Sequence, residues 1–158
     1  MIGRFILTGN SYHDNYSTAS DGPDIMPHLT IEYSTNLEPE LAVQALVDRL
    51  HQAAIETGVF PLGGIRTRAA ARPHYRIADG DPANAFVHVE LRIAPGRDEA
   101  TRARVGGHIF AALTDALAPV SATRPLAISF ELQEIAPAWS ARQNNIHDRL
   151  KAKTEAAR

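Results

Sequence analysis

The stretch Pro27-His28-Leu29-Thr30-Ile31-Glu32-Tyr33 decides the fold of this chain. Apolar and polar side chains alternate along it, so that Leu29, Ile31 and Tyr33 face one way and the residues between them face the other. A period of two is typical of a β-strand that buries one of its faces. We therefore expect a first strand here, with Met26 and a proline directly ahead of it.

After this strand the apolar pattern changes to the period of a helix. Apolar residues recur at helical spacing from residue 41 to residue 54, and Gly58 is placed to end the helix. Asn36, followed by Pro39 and Glu40, supplies residue types that are common where helices begin. The sequence 61–64, Pro-Leu-Gly-Gly, is typical of a turn.

Strand and helix patterns then recur. Short strands are expected at residues 65–71 and 75–78, and the alternation over residues 86–93 is the strongest strand signal in the chain. Asp98 and Glu99 favour the start of a second helix, because acidic groups stabilise a helix amino terminus. A last strand is predicted at residues 126–135, and a short helical pattern follows near residues 145–153.

The order of these elements predicts an α+β fold made of two β-α-β units. The order strand–helix–strand occurs once in each half of the domain. We expect the helices of the two halves to be similar in length. Right-handed crossovers would give a four-stranded sheet with both helices on one face. Because the other face would stay uncovered in a monomer, we expect a homo-oligomer.

Composition excludes several function classes. The chain has 158 residues with 44% hydrophobic and 22% charged residues, as in ordinary globular domains. A net charge of -2 gives no electrostatic reason to expect nucleic acid or an anionic membrane as a partner. The absence of cysteine excludes disulfides and thiolate chemistry, and the seven histidines show no spacing typical of metal ligands. We expect a cytoplasmic protein without a metal site.

Residues 1–26 differ in composition from the rest of the chain. The apolar stretch near residue 5 is too short for a signal peptide, and residues 10–24 are rich in Ser, Asn, Asp, Gly and Tyr. We interpret this segment as an upstream extension, either disordered or absent from the mature protein, which a misplaced start codon would also explain. The folded domain is then expected at residues 27–158.

Pro27 carries a specific chemical possibility. If translation starts at Met26 and that methionine is removed, Pro27 has a free secondary α-amine, and α-amines titrate at roughly 7.7–8.0. Nearby cations favour the neutral form and lower that value. Such a group can serve as a general base near neutral pH. If the preceding residues are kept, its nitrogen is a tertiary amide and cannot. The alternative interpretation is that Pro27 has only a structural role, because a proline suits the first position of a strand.

Three arginines are candidates for binding an acidic substrate. Arg66 and Arg68 alternate with Thr67, and Arg97 lies between a strand end and a helix start. The planar guanidinium suits bidentate carboxylate binding. For Arg68, pairing between subunits is an equally open interpretation. His28 and His88 are expected to be hydrogen-bonded sheet residues, and Phe86 is expected to fill an oligomer interface rather than wall the site.

The chain resembles the 5-carboxymethyl-2-hydroxymuconate delta-isomerase family of the tautomerase superfamily. The resemblance rests on Met26-Pro27-His28, residues 57–66, residues 78–80, residues 85–88, Gly96-Arg97, residues 129–131 and Gln143-Asn144-Asn145. It implies a tautomerase-like homotrimer with a buried active site near an amino-terminal proline, and no cofactor. The implied reaction is a proton shift along the dienol of a muconate-type acid in homoprotocatechuate (4-hydroxyphenylacetate) breakdown.

On that resemblance the site residues have defined roles. Pro27 acts as general base and then acid, and Arg66 and Arg97 bind substrate carboxylates and stabilise enolate charge, with Arg68 as a further substrate contact. The partner is a small dicarboxylate or tricarboxylate. Asn144 and Asn145 fit capping or inter-subunit hydrogen bonds better than substrate binding, and the role of His147 is left open. Two alternatives remain: a non-catalytic trimeric tautomerase-fold protein with a blocked Pro27, and a tautomerase acting on another oxo or enol acid.

Overall fold

The computed structural model describes residues 27–136, 141 and 143–157. These residues form four strands: β1 (His28–Ser34), β2 (Arg66–Arg72), β3 (Ala85–Ile93) and β4 (Leu126–Glu134). The same part of the chain contains three α-helices: α1 (Val43–Glu56), α2 (Glu99–Ser121) and α3 (Ile146–Ala156). The proposed extension at residues 1–26 lies outside the described residues.

The four strands form one mixed sheet in the order β2-β1-β3-β4. β1 pairs in parallel with β2, β3 pairs in parallel with β4, and the two central strands β1 and β3 are antiparallel. Parallel neighbours need a crossover, which α1 and α2 supply. The four-stranded sheet of two β-α-β units is therefore confirmed.

The buried face of the sheet follows the alternation of the sequence. Leu29 and Ile31 in β1 have no exposed surface, and the same holds for Val87, Val89 and Leu91 in β3. Both α1 and α2 contribute buried side chains to this single core: Leu46, Leu50, Ala53, Ala54, Val105, Ile109, Ala112, Leu113, Leu117 and Val120. The side chains that alternate with the core residues define the opposite side of the sheet, which we call the open face.

The open face carries polar and charged side chains. His28 Nδ1 lies 3.3 Å from Arg68 Nη1, and His88 Nδ1 lies 2.8 Å from Ser129 Oγ. Glu32 is paired with Arg72, which lowers the pKa of the Glu32 carboxyl. The expectation that both histidines have hydrogen-bonding partners within the sheet is confirmed.

The predicted strand at residues 75–78 is wrong. After β2 the chain forms a loop instead, because Pro73 has no N–H for a sheet and the backbone turns at Ala78 (φ 47°) and Gly80 (φ 90°). The Asp79 carboxylate accepts hydrogen bonds from the Asp81 N–H at 3.2 Å and from Asn84 Nδ2 at 2.9 Å, which stabilise this loop.

The predicted start of α1 is also wrong in its chemistry. The N-cap is Ala42, which makes no side-chain capping bond. Asn36 instead donates from Nδ2 to the carbonyl oxygens of Pro82 at 3.0 Å and Asn84 at 2.9 Å. Its side chain therefore fixes the loop before β3, a contact between segments far apart in sequence. The predicted end of α1 is confirmed, since Gly58 has φ 66° directly after the C-cap.

The helices differ from expectation in length and number. α1 has 14 residues and α2 has 23, so the two crossovers are not similar in length. α2 continues because its apolar spacing persists past Leu113 to Val120, and Pro119 falls in its last turn. The helical pattern near residues 145–153 forms α3, a third helix beyond the two that cover the sheet. Within the described part of the chain, no helix is long and apolar enough to cross a membrane.

Candidate active site

Pro27 lies at one end of the sheet, directly ahead of β1, and is buried. Its carbonyl oxygen accepts a 3.0 Å hydrogen bond from the backbone N–H of Arg66. The next residue, His28, is in register with Arg66 at the start of β2 and with Arg92 near the end of β3. The start of β2 and the loop that leaves β3 therefore meet at the end of the sheet where Pro27 lies.

The Arg66 side chain folds back over the turn that precedes it. Its Nη1 donates to the Gly64 carbonyl at 3.1 Å, and Arg66 is half-buried. Residues Leu62–Gly64, which we call the glycine turn, form a single 3₁₀ turn with Gly63 and Gly64 buried. The Gly64 N–H donates to the Pro61 carbonyl at 2.9 Å. The direction of the guanidinium thus depends on where this turn holds the Gly64 carbonyl.

Arg97 lies in the loop between β3 and α2, where Gly96 adopts φ 104°. Its Nη1 donates to the Ala94 carbonyl at 3.0 Å, and its guanidinium carbon lies 5.2 Å from the centre of the Phe60 ring. Arg97 Nε is buried and has no hydrogen-bond partner among the described residues. Burial lowers the pKa of Arg97, and the nearby Glu134 carboxylate acts in the opposite direction. A carboxylate ligand would meet an arginine that is partly desolvated and already oriented.

The residue after Arg97 anchors this loop to α2. Asp98 is the N-cap, and its Oδ1 accepts a 2.7 Å hydrogen bond from the Thr101 N–H. Hydrogen bonds from the side chain and the backbone of Thr101 lower the pKa of the Asp98 carboxyl. The prediction that Asp98 and Glu99 begin the helix is confirmed, with Asp98 as the cap and Glu99 in the first turn.

Arg68 lies on the open face, two residues beyond Arg66. It is exposed, and its Nη1 lies 3.3 Å from Nδ1 of His28. Between the two arginines, Thr67 points to α1, where its hydroxyl lies 3.0 Å from His51 Nδ1. The alternation of β2 is thus confirmed, and Arg68, which is in register with Thr30 of β1, faces solvent in a single chain.

The carboxyl-terminal segment reaches the glycine turn. Asn144 Nδ2 donates to the Gly63 carbonyl at 3.0 Å, and Asn144 Oδ1 accepts from the Ile146 N–H at 3.0 Å. His147 packs on Gly63 so closely that an added Cβ would lie 2.7 Å from its Nδ1. Asn145 is the exposed N-cap of α3 and makes no side-chain capping bond. Of the two asparagines, only Asn144 has the capping-type contact that we expected.

Two neighbours of Arg97 were not predicted. The Phe60 ring lies against its guanidinium, and the carboxylate of Glu134, which is paired with Arg102 Nη1 at 3.0 Å, acts on Arg97 electrostatically. Each joins segments that are far apart along the chain, so periodicity could not find them. An aromatic residue directly before a Pro-Leu-Gly-Gly turn was the one local signal for Phe60.

A separate cavity of about 440 Å³ lies between the glycine turn and α3. Its described lining comprises Leu62, Gly63, His147, Leu150, Lys151, Thr154 and Glu155. Pro27, Arg66 and Arg97 are not in that lining, so this cavity is distinct from the predicted site. Among residues 27–136, 141 and 143–157, no group of three or more His, Asp or Glu side chains is placed to hold a metal ion.

The chain matches known proteins over most of its length. The family model described as 5-carboxymethyl-2-hydroxymuconate isomerase matches residues 27–150. The chain is 35% identical over 122 residues to the 5-carboxymethyl-2-hydroxymuconate Delta-isomerase of Escherichia coli, with 77% of this chain and 97% of the relative covered.

Solved structures agree with this match. A crystal structure of a 5-carboxymethyl-2-hydroxymuconate isomerase from Deinococcus radiodurans R1 is 41% identical, with a TM-score of 0.76 over 80% of this chain and 96% of that one. A structure described as "Q0 fused 4-OT wild type symmetric trimer" has a TM-score of 0.51 at 18% identity, covers 74% and 92% of the two chains, and shows a shared fold only.

These matches and the sheet topology agree on one assignment. The family model spans well over half of the chain, and the curated relative is aligned almost end to end. The chain belongs to the 5-carboxymethyl-2-hydroxymuconate isomerase family.

Proposed function

We propose that this protein isomerises 5-carboxymethyl-2-hydroxymuconate by moving one proton along its dienol, as a step in homoprotocatechuate breakdown. The substrate is a small polycarboxylate, and the reaction relocates a proton and a C=C bond without gain or loss of atoms. Family membership supports the reaction class, and the residues at the Pro27 end of the sheet support the chemistry.

Pro27 is the proposed general base. In a chain that begins at Pro27 its nitrogen is a secondary amine, which takes a proton from the substrate and then returns it at the new position. Positioned proton transfer of this kind typically contributes about 10²–10⁴-fold to a rate. The match to the family model begins at Pro27, which supports an active form with this residue first.

Arg66 and Arg97 are the proposed carboxylate ligands. Among the described residues, no carboxylate forms an ion pair with either guanidinium, and each guanidinium donates to a backbone carbonyl from Nη1. Both retain donors for a carboxylate. They also stabilise the enolate charge that develops during the proton shift and favour the neutral form of the Pro27 amine.

A single observation supports this proposal most strongly. The hydrogen bond from the Arg66 N–H to the Pro27 carbonyl ties the proposed base to the residue that carries one proposed carboxylate ligand, at the sheet end from which the Arg97 loop also departs. Cations near an amine favour its neutral form, which can take a proton from an acidic substrate.

We also propose that the active form is a homotrimer. The described helices leave the open face uncovered, and Arg68 on that face is exposed in a single chain. Glu90 and Glu131 are register partners on that face. Neighbouring like charges are unfavourable unless a cation meets them. We propose Arg68 as a substrate contact. Its alternative role is an ion pair with another subunit, in which it would meet the carboxylates of Glu90 and Glu131.

The test of this function is an assay of protein that begins at Pro27, confirmed by intact mass. We expect turnover of 5-carboxymethyl-2-hydroxymuconate that is lowered by Arg66→Ala, whereas Arg49→Ala, a matched change on the outer surface of α1, has no effect. Turnover of a different oxo or enol acid alone would favour another tautomerase activity. No turnover of any such acid by a folded trimer would favour a non-catalytic protein.

A further inference from the structure

We propose that Asn144 is a positioning residue for Arg66 and acts through the glycine turn. This inference rests on the proposed function, because it assumes that Arg66 binds a substrate carboxylate. It assigns to the carboxyl-terminal segment a role in substrate affinity that neither the sequence pattern nor the family match provides.

The contact that carries the proposal is the 3.0 Å hydrogen bond from Asn144 Nδ2 to the Gly63 carbonyl. The next carbonyl along the chain, that of Gly64, accepts from Arg66 Nη1 at 3.1 Å. Two consecutive peptide groups thus join the Asn144 amide to the guanidinium. If the Gly63 peptide rotates, the Gly64 carbonyl moves with it and the guanidinium loses its anchor.

Asn144 is itself held in place from its other side. Its Oδ1 accepts a 3.0 Å hydrogen bond from the Ile146 N–H at the start of α3. One side-chain amide therefore uses its acceptor on the helix and its donor on the turn. An amide is required for both contacts, since a carboxylate has no donor for the Gly63 carbonyl.

Side-chain packing also holds the glycine turn in place. The His147 ring lies against Gly63 at a distance that leaves no room for a Cβ, and Gly63 and Gly64 are both buried. The beginning of α3 therefore covers the glycine turn. The hydrogen bond of Asn144 sets the orientation of the peptide group between Gly63 and Gly64. Arg66 is then presented to substrate in one direction, which reduces the ordering cost of binding.

Asn144→Asp is the decisive variant, and Asn145→Asp is its matched control. Asn144→Asp keeps the acceptor for Ile146 but replaces the donor with an oxygen that repels the Gly63 carbonyl. Asn145→Asp adds the same charge one residue away, at an exposed N-cap without a side-chain capping bond. For Asn144→Asp we expect KM to rise roughly 3- to 10-fold with kcat little changed, the size expected for one lost hydrogen bond. We expect Asn145→Asp to stay at wild-type KM.

A double-variant cycle tests whether the effect passes through Arg66. In the Arg66→Ala background, Asn144→Asp should raise KM no further, because the guanidinium that it positions is gone. An equal KM increase in both backgrounds would overturn the proposal, and so would an unchanged KM for Asn144→Asp in an otherwise wild-type chain.

Amide hydrogen exchange separates this proposal from the proposed function. Asn144→Asp should speed exchange of the Gly64 and Ile65 amides, whereas Asn145→Asp should not. Faster exchange without a change in KM, while Arg66→Ala does raise KM, would show that Asn144 only stabilises the turn and would overturn the positioning role. Arg66→Ala with wild-type KM would instead overturn the assigned function of Arg66, whatever the exchange result.

Discussion

The backbone N–H of Arg66 donates a 3.0 Å hydrogen bond to the carbonyl oxygen of Pro27. This bond extends the parallel β1–β2 ladder by one residue, beyond the pairing of His28 with Arg66. It places the first strand's leading proline and the second strand's leading arginine in one rigid unit. The base and one carboxylate ligand of the proposed reaction are thus positioned by the sheet itself.

Arg97→Ala should weaken turnover far more than it weakens folding. Loss of a charge-assisted hydrogen bond to a carboxylate costs about 1.5–3 kcal/mol, which corresponds to roughly 10- to 150-fold in kcat/KM. Steady-state kinetics and thermal melts of the same preparation test this. Arg97→Lys keeps the charge without the planar fork and should recover part of the loss.

Arg49→Ala is the control, because Arg49 is paired with Glu56 on α1. Wild-type kcat/KM for Arg97→Ala, or activity lost only in proportion to unfolding, would remove Arg97 from the site. The contact between Arg97 and Phe60 makes the melting curve a necessary part of the measurement.

The N-cap of α2 should make a pH-dependent contribution to stability. The Thr101 contact lowers the folded-state pKa of Asp98, so its stabilisation is present above the unfolded value of about 3.9 and is lost as pH falls through the folded pKa. We expect wild type to melt above Asp98→Asn at pH 7 and the difference to shrink as pH falls below about 4. Glu99→Gln removes a charge one residue later and should not reproduce this profile. A difference that is constant with pH would contradict the interpretation.

Gly63→Ala should lower the melting temperature because its Cβ would lie 2.7 Å from His147 Nδ1. Removal of the ring provides the test of cause. In a His147→Ala background, Gly63→Ala should cost much less, since the clashing atoms are absent. Gly107→Ala is the control, because a Cβ there meets nothing within 4 Å on the exposed side of α2. Equal losses in both backgrounds would show that backbone strain rather than His147 is responsible.

Light scattering should give the mass of a trimer at micromolar concentration. The uncovered open face motivates this expectation, and a stable monomer would contradict it.

The neighbouring carboxylates of Glu90 and Glu131 on the open face offer a second measurement. If cations of a neighbouring subunit meet Glu90 and Glu131, Glu90→Gln with Glu131→Gln should weaken assembly. If nothing meets them, the same change should relieve repulsion and raise the melting temperature.

All four strands were predicted from the sequence, and β1, β3 and β4 have a period of two. β1 and β3 bury alternate side chains and β4 half-buries them, so burial itself imposes the pattern. β2 was predicted without such a strict pattern. The false strand at residues 75–78 has no such constraint. Tyr75 and Ile77 gave this segment the alternating pattern of a strand. Hydrogen bonds that Asp79 accepts, one of them from Asn84, fix the loop there instead.

The candidate site was predictable only where local chemistry marks it. The Pro-Leu-Gly-Gly turn and the Gly96-Arg97 loop are visible in the sequence as breaks between periodic segments. The cation–π contact of Arg97 with Phe60 and the bond of Asn144 to Gly63 join segments that only the folded chain brings together. The role of Asn36 was missed for the same reason, since its partners Pro82 and Asn84 lie in a distant loop.

The nitrogen of Pro27 is the proposed base, and one comparison tests this role directly. Three proteins are needed, each verified by intact mass: one that begins at Pro27, one that keeps residues 1–26, and one that begins at residue 27 with Pro27→Ala. For the first, kcat/KM should rise with pH as the amine loses its proton, at or below roughly 7.7–8.0 because nearby cations favour the neutral form. The protein that keeps residues 1–26 should be much slower, since an amide nitrogen accepts no proton, and Pro27→Ala should fall between them. Equal kcat/KM for the two proline-containing proteins would show that another group is the base.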